Sequence, residues 1–378
     1  MVDTGADVLV VGAGIVGTAC ALALQSEGLQ VALLDATQPG GGVTAAGMGH
    51  LVALDESEQE LDLCLLSLRL WQEFMDEHPG IGEVSRCGTL WVAENEQQLA
   101  AAQQRAARLS ARGWQAEAVS GDRLPRLEPA LRRGLAGGVR VGGDSVVYPP
   151  AVAHFLAQEL VRRGGRLECG RRVVALHAGG LTLADGGRRS APQIVLATGV
   201  DIAQLLPEVG VFGRKGHLAI TDRYPGSLQH QVVGMDYGQA AVSADALAVA
   251  ANVQPRPSGQ WLIGSCRQDG QTDGALDPRA LSAVLQAAIR LLPALGGMRI
   301  IRAWAGMRPA SSDGQPLLGP HPGRAGIWLA AGHEGLGVTT AFASARLLAD
   351  QMLGRNSEID RNPYLPGRLP ALRNPIYA

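Results

Sequence analysis

The first 35 residues show the apolar pattern of a strand, a turn, a helix and a second strand. Asp7–Val11 is a short apolar run, Ile15–Ser26 follows a glycine-rich turn with apolar residues throughout, and Val31–Leu34 is a second short run. Short runs bounded by turns predict strands, whereas the longer segment predicts a helix. The pattern therefore predicts a βαβ unit of the length used for dinucleotide binding.

The rest of the chain continues this pattern in two blocks. The Gly-rich stretch Pro39–Gly49 predicts a loop that wraps a ligand rather than a helix or strand. We expect mostly solvated helices at Glu58–Glu77 and Glu94–Arg112. A return to the first sheet is predicted by a helix at Ala151–Arg163 and strands at Arg171–Leu176 and Ile194–Leu196. Alternating runs between Arg214 and Cys266 predict an antiparallel sheet, which is followed by helix Pro278–Leu292, strand Ile327–Ala331 and helix Thr339–Leu353.

These elements predict an α/β protein of two domains. Residues 1–80, 145–205 and 300–378 would form a discontinuous Rossmann-type domain that binds the dinucleotide. Residues 81–144 and 206–299 would form a second, α+β domain for the substrate, built on the antiparallel sheet. A chain of 378 residues is long enough for both.

Composition and charge exclude several kinds of partner. Of the 378 residues 46% are hydrophobic, and the formal net charge is only −2, so no electrostatic footprint for nucleic acid or anionic lipid exists. The five cysteines are odd in number and scattered, which predicts neither disulfides nor a zinc site and favours a reducing compartment. The first residues are acidic, unlike a signal peptide, and no apolar run approaches the ~20 residues of a membrane span. We therefore expect a cytoplasmic protein.

The turn after the first strand has the glycine spacing of a dinucleotide site. It is a GxGxxG sequence, in which the first glycine permits a tight turn, the second lets a pyrophosphate approach the backbone, and the third allows close packing of helix on strand. The helix N-terminus then offers N–H groups to the phosphates. Asp35 ends the next strand, where a carboxylate accepts hydrogen bonds from ribose hydroxyls. The residues predicted to bind here are Gly12, Gly14, Ile15, Val16, Gly17 and Asp35.

Further along, several blocks resemble one flavoprotein family in order. Thr44-Ala45-Ala46-Gly47-Met48-Gly49 is similar to the loop by which the glycine oxidase/sarcosine oxidase/D-amino-acid oxidase family cradles FAD, and Ala197-Thr198-Gly199 resembles its second flavin signature. Val173 lies where that family's backbone meets the adenine. The C-terminal runs Trp304–Pro309, Asp313–Pro316 with Gly319, and Ala331–His333 resemble the family's WAGLRP, DGxPxIG and AGH blocks.

The resemblance implies a cofactor, a reaction and a set of site residues. The cofactor would be FAD, bound noncovalently because no cysteine follows Cys266 at the family's attachment position. The reaction would be oxidation of a small amino or imino acid by hydride transfer from Cα to the flavin. Arg308 occupies the position of the family's carboxylate anchor, and an arginine fork suits a carboxylate. The remaining residues implied at the cofactor are Thr44, Ala45, Gly47, Met48, Gly49, Val173, Thr198, Gly199, Gly306, Arg308, Gly332, His333, Glu334, Gly335, Leu336 and Gly337.

Four further residues carry open alternatives. His50 follows the flavin loop, so it acts on the substrate's amine or hydroxyl, or else packs against the flavin. For His333 we favour a structural role. Asn252 stands where glycine oxidase has a carboxylate-binding Tyr, which puts glycine as the substrate in doubt. Arg267 replaces an apolar pocket residue and faces either the substrate or the surface.

The detailed sequence of two segments favours one branch of the family. Gly47–Val52 and His333–Gly337 look more like bacterial hydroxyproline and proline dehydrogenases than like glycine oxidase. We therefore expect D-hydroxyproline or a related cyclic or secondary amino acid as the substrate. The alternatives are an oxidase that uses oxygen on glycine, sarcosine or a D-amino acid, and a flavin-carrying subunit of a multi-chain electron-transfer complex. The chain could also form a homo-oligomer.

Overall fold

A six-stranded sheet forms the first structural layer. The computed structural model describes residues 2–3, 5–236, 247–271 and 273–372. Its first strands, Val8–Val11 and Val31–Leu34, are buried along their whole length and pair in parallel. Such continuous apolar runs are typical of a parallel sheet that is covered on both faces. The strand order is Leu317–Pro320, Ile327–Ala331, Gln193–Leu196, Val8–Val11, Val31–Leu34 and Arg166–Glu168, all parallel except the first, which is antiparallel to its neighbour.

Three helices lie against this sheet, and a fourth packs on one of them. Ile15–Ser26 lies between Gly337–Met352 and Pro149–Arg162, and Glu58–Glu77 packs on Gly337–Met352. The expectation that Glu58–Glu77 is mostly solvated is wrong, because nine of its residues are buried, Trp71 completely. The Trp71 indole N–H donates to the carbonyl oxygens of Val338 and Thr339, both at 3.1 Å, so the packing on the C-terminal helix buries it.

The predicted return of the chain to the first sheet is only partly correct, because one of the two predicted strands belongs to a separate four-stranded sheet. Gln193–Leu196 does join the six-stranded sheet, but the strand predicted at Arg171–Leu176 is Val173–His177 and pairs antiparallel with Gly180–Leu183. A two-residue turn at 178–179 connects these strands, and such a short connection makes a hairpin rather than a crossover. The sheet is completed by Arg188–Ser190 and Val2–Asp3.

An eight-stranded, mostly antiparallel sheet forms the second layer. Trp261, Ile263 and Val253 from its centre pack with Val284 and Leu291 of helix Pro278–Leu291. Helix Glu96–Ala111 lies over the other end and buries three residues, so it is mostly solvated, as predicted. The order of the strands is Ile300–Ala310, Phe212–Thr221, Trp261–Arg267, Ala248–Pro255, Gln231–Gly234, Thr89–Ala93, Gly137–Val141 and Ala116–Ser120.

This sheet bears on the predicted division into domains. Strands from 81–144 and from 206–299 meet in it, joined through the parallel pair Gln231–Gly234 and Thr89–Ala93. Ile300–Ala310, which the division placed with the dinucleotide-binding domain, pairs with Phe212–Thr221 over the whole length of that strand. The division into two domains stays a proposal, with the link between them running along this strand.

Several smaller elements complete the fold. Gly42–Ala46 is a short helix, so the expectation that Pro39–Gly49 contains no element is wrong. Gly40 and Gly42 adopt φ of +76° and +56°, and this freedom lets the chain turn into the helix. The other strands and α-helices among the described residues are the strand pair His50–Leu51 and Ser145–Val146 and the short helices Leu124–Leu127 and Ile202–Leu205. Among the residues that the structure describes, no helix combines the length and the apolar composition needed to cross a bilayer.

Candidate active site

One elongated cavity joins the dinucleotide turn to the eight-stranded sheet. Its volume is about 800 Å³, which lies in the range of small-molecule and cofactor sites. Both layers line it, so any ligand that fills it contacts residues from most of the chain. Asp35 and Thr198 line its walls on the six-stranded sheet, and Asn252 and Arg308 line it on the eight-stranded sheet.

The glycine turn has the shape that a pyrophosphate needs. Gly12 adopts φ +100°, and a Cβ there would lie 2.5 Å from the Ala197 carbonyl oxygen. A Cβ at Gly17 would lie 1.8 Å from the Gly12 carbonyl oxygen, so both positions exclude side chains. Helix Ile15–Ser26 starts at this turn with a glycine as its N-cap residue, Ile15 N donates to Thr44 Oγ1 at 3.0 Å, and the first helical residues line the cavity. Its positive end is therefore available to an anionic group.

Asp35 lies at the cavity wall, and one hydrogen-bond acceptor position of its carboxylate is unoccupied. Its Oδ2 accepts a hydrogen bond from Ala13 N at 2.7 Å. Its Oδ1 accepts from Thr37 N at 2.7 Å and from Thr37 Oγ1 at 2.9 Å. A carboxylate has about four acceptor positions, so one remains for a ligand hydroxyl. The carboxylate thus fixes the glycine turn and can still bind a ribose.

A buried hydroxyl also indicates a ligand. Thr198 Oγ1 is buried, belongs to a residue that lines the cavity, and has no hydrogen-bond partner among the described residues. Buried hydroxyl groups nearly always have a partner, so a bound polar group would satisfy it. Val173 and Gly199 lie on the same wall. Together with the glycine turn and Asp35, these residues fit FAD along the length of the cavity.

At the other end, the Arg308 guanidinium is held flat against the sheet. Its Nη1 donates to the Cys266 carbonyl oxygen at 2.9 Å. A Cβ at Gly216, on the neighbouring strand, would lie 2.8–3.0 Å from the guanidinium atoms, so only glycine leaves room for it. Arg308 forms no ion pair with any residue that the structure describes. The guanidinium therefore lines the cavity with no described carboxylate within ion-pair distance, and Glu334 interacts with its charge from further away.

His50 and Asn252 form a polar pair at this same end of the cavity. His50 Nε2 lies 3.1 Å from Asn252 Oδ1, and both residues line the cavity. Burial lowers the pKa of His50 to about 4; the bond to Asn252 opposes this shift and the charge of Arg308 adds to it. The imidazole is thus neutral at pH 7. With Asn252 Oδ1 as the acceptor, Nε2 carries the proton and Nδ1 is left as an acceptor.

The C-terminal motif contributes one buried histidine and one buried carboxylate. His333 Nε2 lies 3.0 Å from Ser344 Oγ inside the helix packing, and burial lowers its pKa to about 4. The contact with Ser344 gives Nε2 a hydrogen-bond partner, so the imidazole needs no ligand to satisfy it. Glu334 lines the cavity and lies beside Arg267, which does not line it. Burial opposes ionisation of Glu334, but Arg308, Arg267 and Arg214 outweigh it and hold its pKa below the usual range.

Most of the predicted site residues line this one cavity, and their roles stay predictions. Those that do not line it are Gly17, Ala45, Gly49, Gly332, Leu336 and Arg267. Gly17 instead allows the helix to pack on the turn. Gly49, with φ +84°, passes so close to the Val147 carbonyl that a Cβ would lie 2.0 Å from it.

Sequence reasoning missed other residues of the wall. Some lie inside or next to the motifs, although no role was predicted for them: Ala36, Thr37, Val43, Ala46, Ala197, Val200, Ala305 and Met307. Others have no motif: Arg171, Arg172, Gly216, Leu218 and Ser265. Gly216 and Leu218 alternate along one strand, so the period of two could have identified their shared face.

Comparisons with known proteins agree over nearly the whole chain. The family model for DAO, FAD dependent oxidoreductase, matches residues 7–351. Glycine oxidase of Pseudomonas aeruginosa is 30% identical over 96% of this chain and 99% of its own length. D-amino acid dehydrogenase 2 of the same organism is 29% identical over 95% of this chain and 98% of its own.

The fold comparison leads to the same family. The crystal structure of glycine oxidase from Geobacillus kaustophilus superposes with a TM-score of 0.85 at 26% identity, covering 96% of this chain and 99% of that one. The resemblance found in the sequence and the predicted α/β fold are therefore confirmed. The chain belongs to the DAO family of FAD-dependent oxidoreductases, among the amino acid oxidases and dehydrogenases, with FAD as its cofactor.

Proposed function

We propose that this enzyme oxidises a small cyclic or secondary amino acid to its imine, with D-hydroxyproline as the favoured substrate. The observation that carries the proposal is the composition of one end of the cavity. There the Arg308 guanidinium, the neutral His50–Asn252 pair and the apolar side chains of Met48 and Leu218 line the same space. A cyclic hydroxy amino acid has a matching carboxylate, polar hydroxyl and amine, and ring methylene groups.

Arg308 binds the carboxylate in this proposal. Its Nη1 already donates to the Cys266 carbonyl, which fixes the plane of the guanidinium before the substrate arrives. The remaining N–H groups can form two parallel charge-assisted hydrogen bonds with a carboxylate. Two-point binding orients the Cα–H bond as well as holding the molecule, and orientation is the main demand of a hydride transfer.

His50 and Asn252 act on the polar groups of the substrate. Because its pKa is about 4, His50 stays neutral at pH 7 and can accept a hydrogen bond from the amine or the ring hydroxyl. Asn252 holds the imidazole in one orientation through the 3.1 Å contact. Met48, Leu218 and Leu262 form a small apolar cluster that suits the ring methylene groups. When bound, FAD supplies the acceptor for the hydride from Cα.

We expect acid precipitation of the purified protein to release its flavin into the supernatant. None of the described cysteines lines the cavity, so no cysteine is placed to form a covalent link to the flavin. The absorbance of the supernatant and of the washed pellet measures the partition. Flavin that stays on the denatured chain would contradict noncovalent binding.

A second candidate is an oxidase that acts on glycine or a D-amino acid with oxygen. The 30% identity to a glycine oxidase favours it. The similarity to a D-amino acid dehydrogenase favours the D stereochemistry of our first candidate and an acceptor other than oxygen. Asn252 in place of a phenol argues against glycine, because this position lacks the hydroxyl of the carboxylate-binding Tyr of glycine oxidase.

Anaerobic titration of the holoenzyme with a panel of amino acids tests substrate and acceptor together. We expect D-hydroxyproline to bleach the flavin absorbance faster than D-proline, sarcosine or glycine, because only it fills the apolar wall and also bonds the polar pair. L-Hydroxyproline is the matched control for stereochemistry. Air is then admitted, and slow reoxidation would indicate a dehydrogenase. Faster reduction by glycine than by any cyclic amino acid would contradict the proposal.

A further inference from the structure

We propose that Glu334 restricts this site to substrates with a single carboxylate. The inference rests on the proposed function, in which Arg308 binds that carboxylate. Glu334 would be a specificity-determining residue that acts through the charge of its arginine neighbours.

Glu334 lies among arginine side chains in a region with little water. Its Oε1 is 3.5 Å from Arg267 Nε and 3.6 Å from Arg214 Nη1, and its Oε2 is 3.5 Å from Arg267 Nη2. Only 14% of the Glu334 side chain is exposed, against 18% for Arg267 and 21% for Arg214. Charges with this degree of burial are screened much less than surface charges.

The backbone conformation of Glu334 and the surroundings of its two carboxylate oxygens differ from those of an ordinary ion-paired residue. Glu334 adopts φ +47°, which is uncommon for a residue with a side chain and persists where the surroundings enforce it. Its Oε2 accepts a hydrogen bond from Gly335 N at 2.7 Å. Its Oε1 is buried and accepts no hydrogen bond from any described residue, although the residue lines the cavity. The carboxylate is thus held in place at the cavity wall.

The charges around the substrate end leave one positive charge for a ligand. Arg214 also pairs with Asp269, at 2.7 and 3.1 Å. Arg214, Arg267 and Arg308 therefore face the two carboxylates of Asp269 and Glu334. Arg308 is the guanidinium with no carboxylate at ion-pair distance, so it is the one left to bind a substrate carboxylate. Glu56 also interacts with Arg267, but burial of its carboxyl raises its pKa above the usual range, so it holds its negative charge less readily than Glu334.

A ligand with a second carboxylate would meet Glu334 instead of a cation. The backbone of Gly335 follows Glu334 directly, and a Cβ there would lie 3.7 Å from Arg308 Cδ, so the carboxylate wall begins next to the anchor. Like charges in a water-poor site repel, and this selects against dicarboxylates. Replacing Glu334 by Gln keeps the shape, removes the repulsion and leaves Arg267 to attract the second carboxylate.

Calorimetric titration of the holoenzyme with two non-oxidisable ring acids, furan-2-carboxylate and furan-2,5-dicarboxylate, tests this inference. In wild type we expect the monocarboxylate to bind more tightly. In Glu334→Gln the ratio of the two dissociation constants should shift toward the dicarboxylate by about tenfold or more, as the loss of one partly buried charge contact implies. A ratio that stays at the wild-type value would overturn the inference.

Two further variants make the result specific. Glu77→Gln removes a carboxylate outside this cluster, at a position that is 77% exposed and does not line the cavity, so we expect the ratio to stay close to that of wild type. A shift as large as that of Glu334→Gln would mean that general surface charge sets the ratio and would overturn the inference. Arg267→Gln should move the ratio in the opposite direction from Glu334→Gln, because Glu334 then lacks its nearest cation. Flavin content measured on each variant establishes that it is folded and loaded.

The same titration separates this inference from the proposed function. Furan-2-carboxylate binding should weaken strongly in Arg308→Ala. If it does not, the anchor assignment fails and the charge argument fails with it. If Arg308→Ala weakens binding but Glu334→Gln leaves the ratio unchanged, the anchor stands and only the role of Glu334 is wrong.

Discussion

Arg308→Ala is expected to remove nearly all turnover while leaving the FAD content normal. The guanidinium lies in a half-buried position where it forms no ion pair with any described residue, so a substrate carboxylate would be its main charge partner. Removing one partner of a water-poor ion pair costs about 3–5 kcal/mol, because the other charge is left unpaired. Each 1.36 kcal/mol is a factor of ten in rate, so kcat/KM should fall by roughly 10²–10⁴.

Arg308→Lys should recover only part of this loss. Lysine keeps the charge, but it cannot form two parallel bonds to a carboxylate while also donating in the plane fixed by the Cys266 carbonyl. Arg302→Ala is the matched control, since Arg302 lies on the same strand, is exposed and does not line the cavity. Its kinetics should resemble those of wild type.

The comparison that decides the assignment is kcat/KM for an amino acid against its carboxamide. Wild type should strongly prefer the acid, and Arg308→Ala should lose that preference, since the amide carries no charge for the guanidinium to bind. If Arg308→Ala prefers the acid as strongly as wild type does, the anchor lies elsewhere. Arg267 would be the next candidate, although the structure pairs it with Glu334.

The fold could be predicted where elements that are close together in the sequence also contact each other in the structure. Val8–Val11 and Val31–Leu34 are short apolar runs separated by a helix, and they pair in parallel as the pattern predicts. The burial of Trp71 could not be predicted in this way, because it depends on a helix more than 250 residues further along the chain. Val173–His177 lies in a different sheet from the one that the sequence predicts, because an apolar run does not indicate which sheet edge it will join.

The site shows the same division between local and long-range information. Gly12, Thr198 and Arg308 were found from motifs that are contiguous in the sequence, and all three line the cavity. The contact of His50 with Asn252 joins positions 202 residues apart, and no motif contains both. The sequence leaves open whether Arg267 faces the substrate or the surface, and in the structure its side chain pairs with Glu334. Cytoplasmic localisation, homo-oligomer formation and an electron-transfer partner chain stay predictions.

Gly17→Ala should greatly weaken FAD binding, even though alanine favours helices. In helix Ile15–Ser26 the substitution would by itself gain roughly 1 kcal/mol of helix propensity. The new Cβ, however, would lie 1.8 Å from the Gly12 carbonyl oxygen and 3.0 Å from its carbon, and both are backbone atoms that cannot rotate away. The clash must be relieved by moving the helix off the turn. Overpacking of this kind costs about 1–3 kcal/mol or more, so it outweighs the gain in propensity.

The direction of that movement explains why we expect the largest effect on the affinity for FAD. Moving the helix start away from the turn withdraws the N–H groups of the first helical residues from the position that a pyrophosphate would occupy. We expect the FAD dissociation constant, measured by titrating apoprotein, to rise by roughly 10²-fold, as the loss of two charge-assisted hydrogen bonds implies. Gly297→Ala is the control: a Cβ there meets nothing within 4 Å, so FAD affinity and melting temperature should stay at the wild-type values. Wild-type FAD affinity in Gly17→Ala would show that this turn does not hold the pyrophosphate.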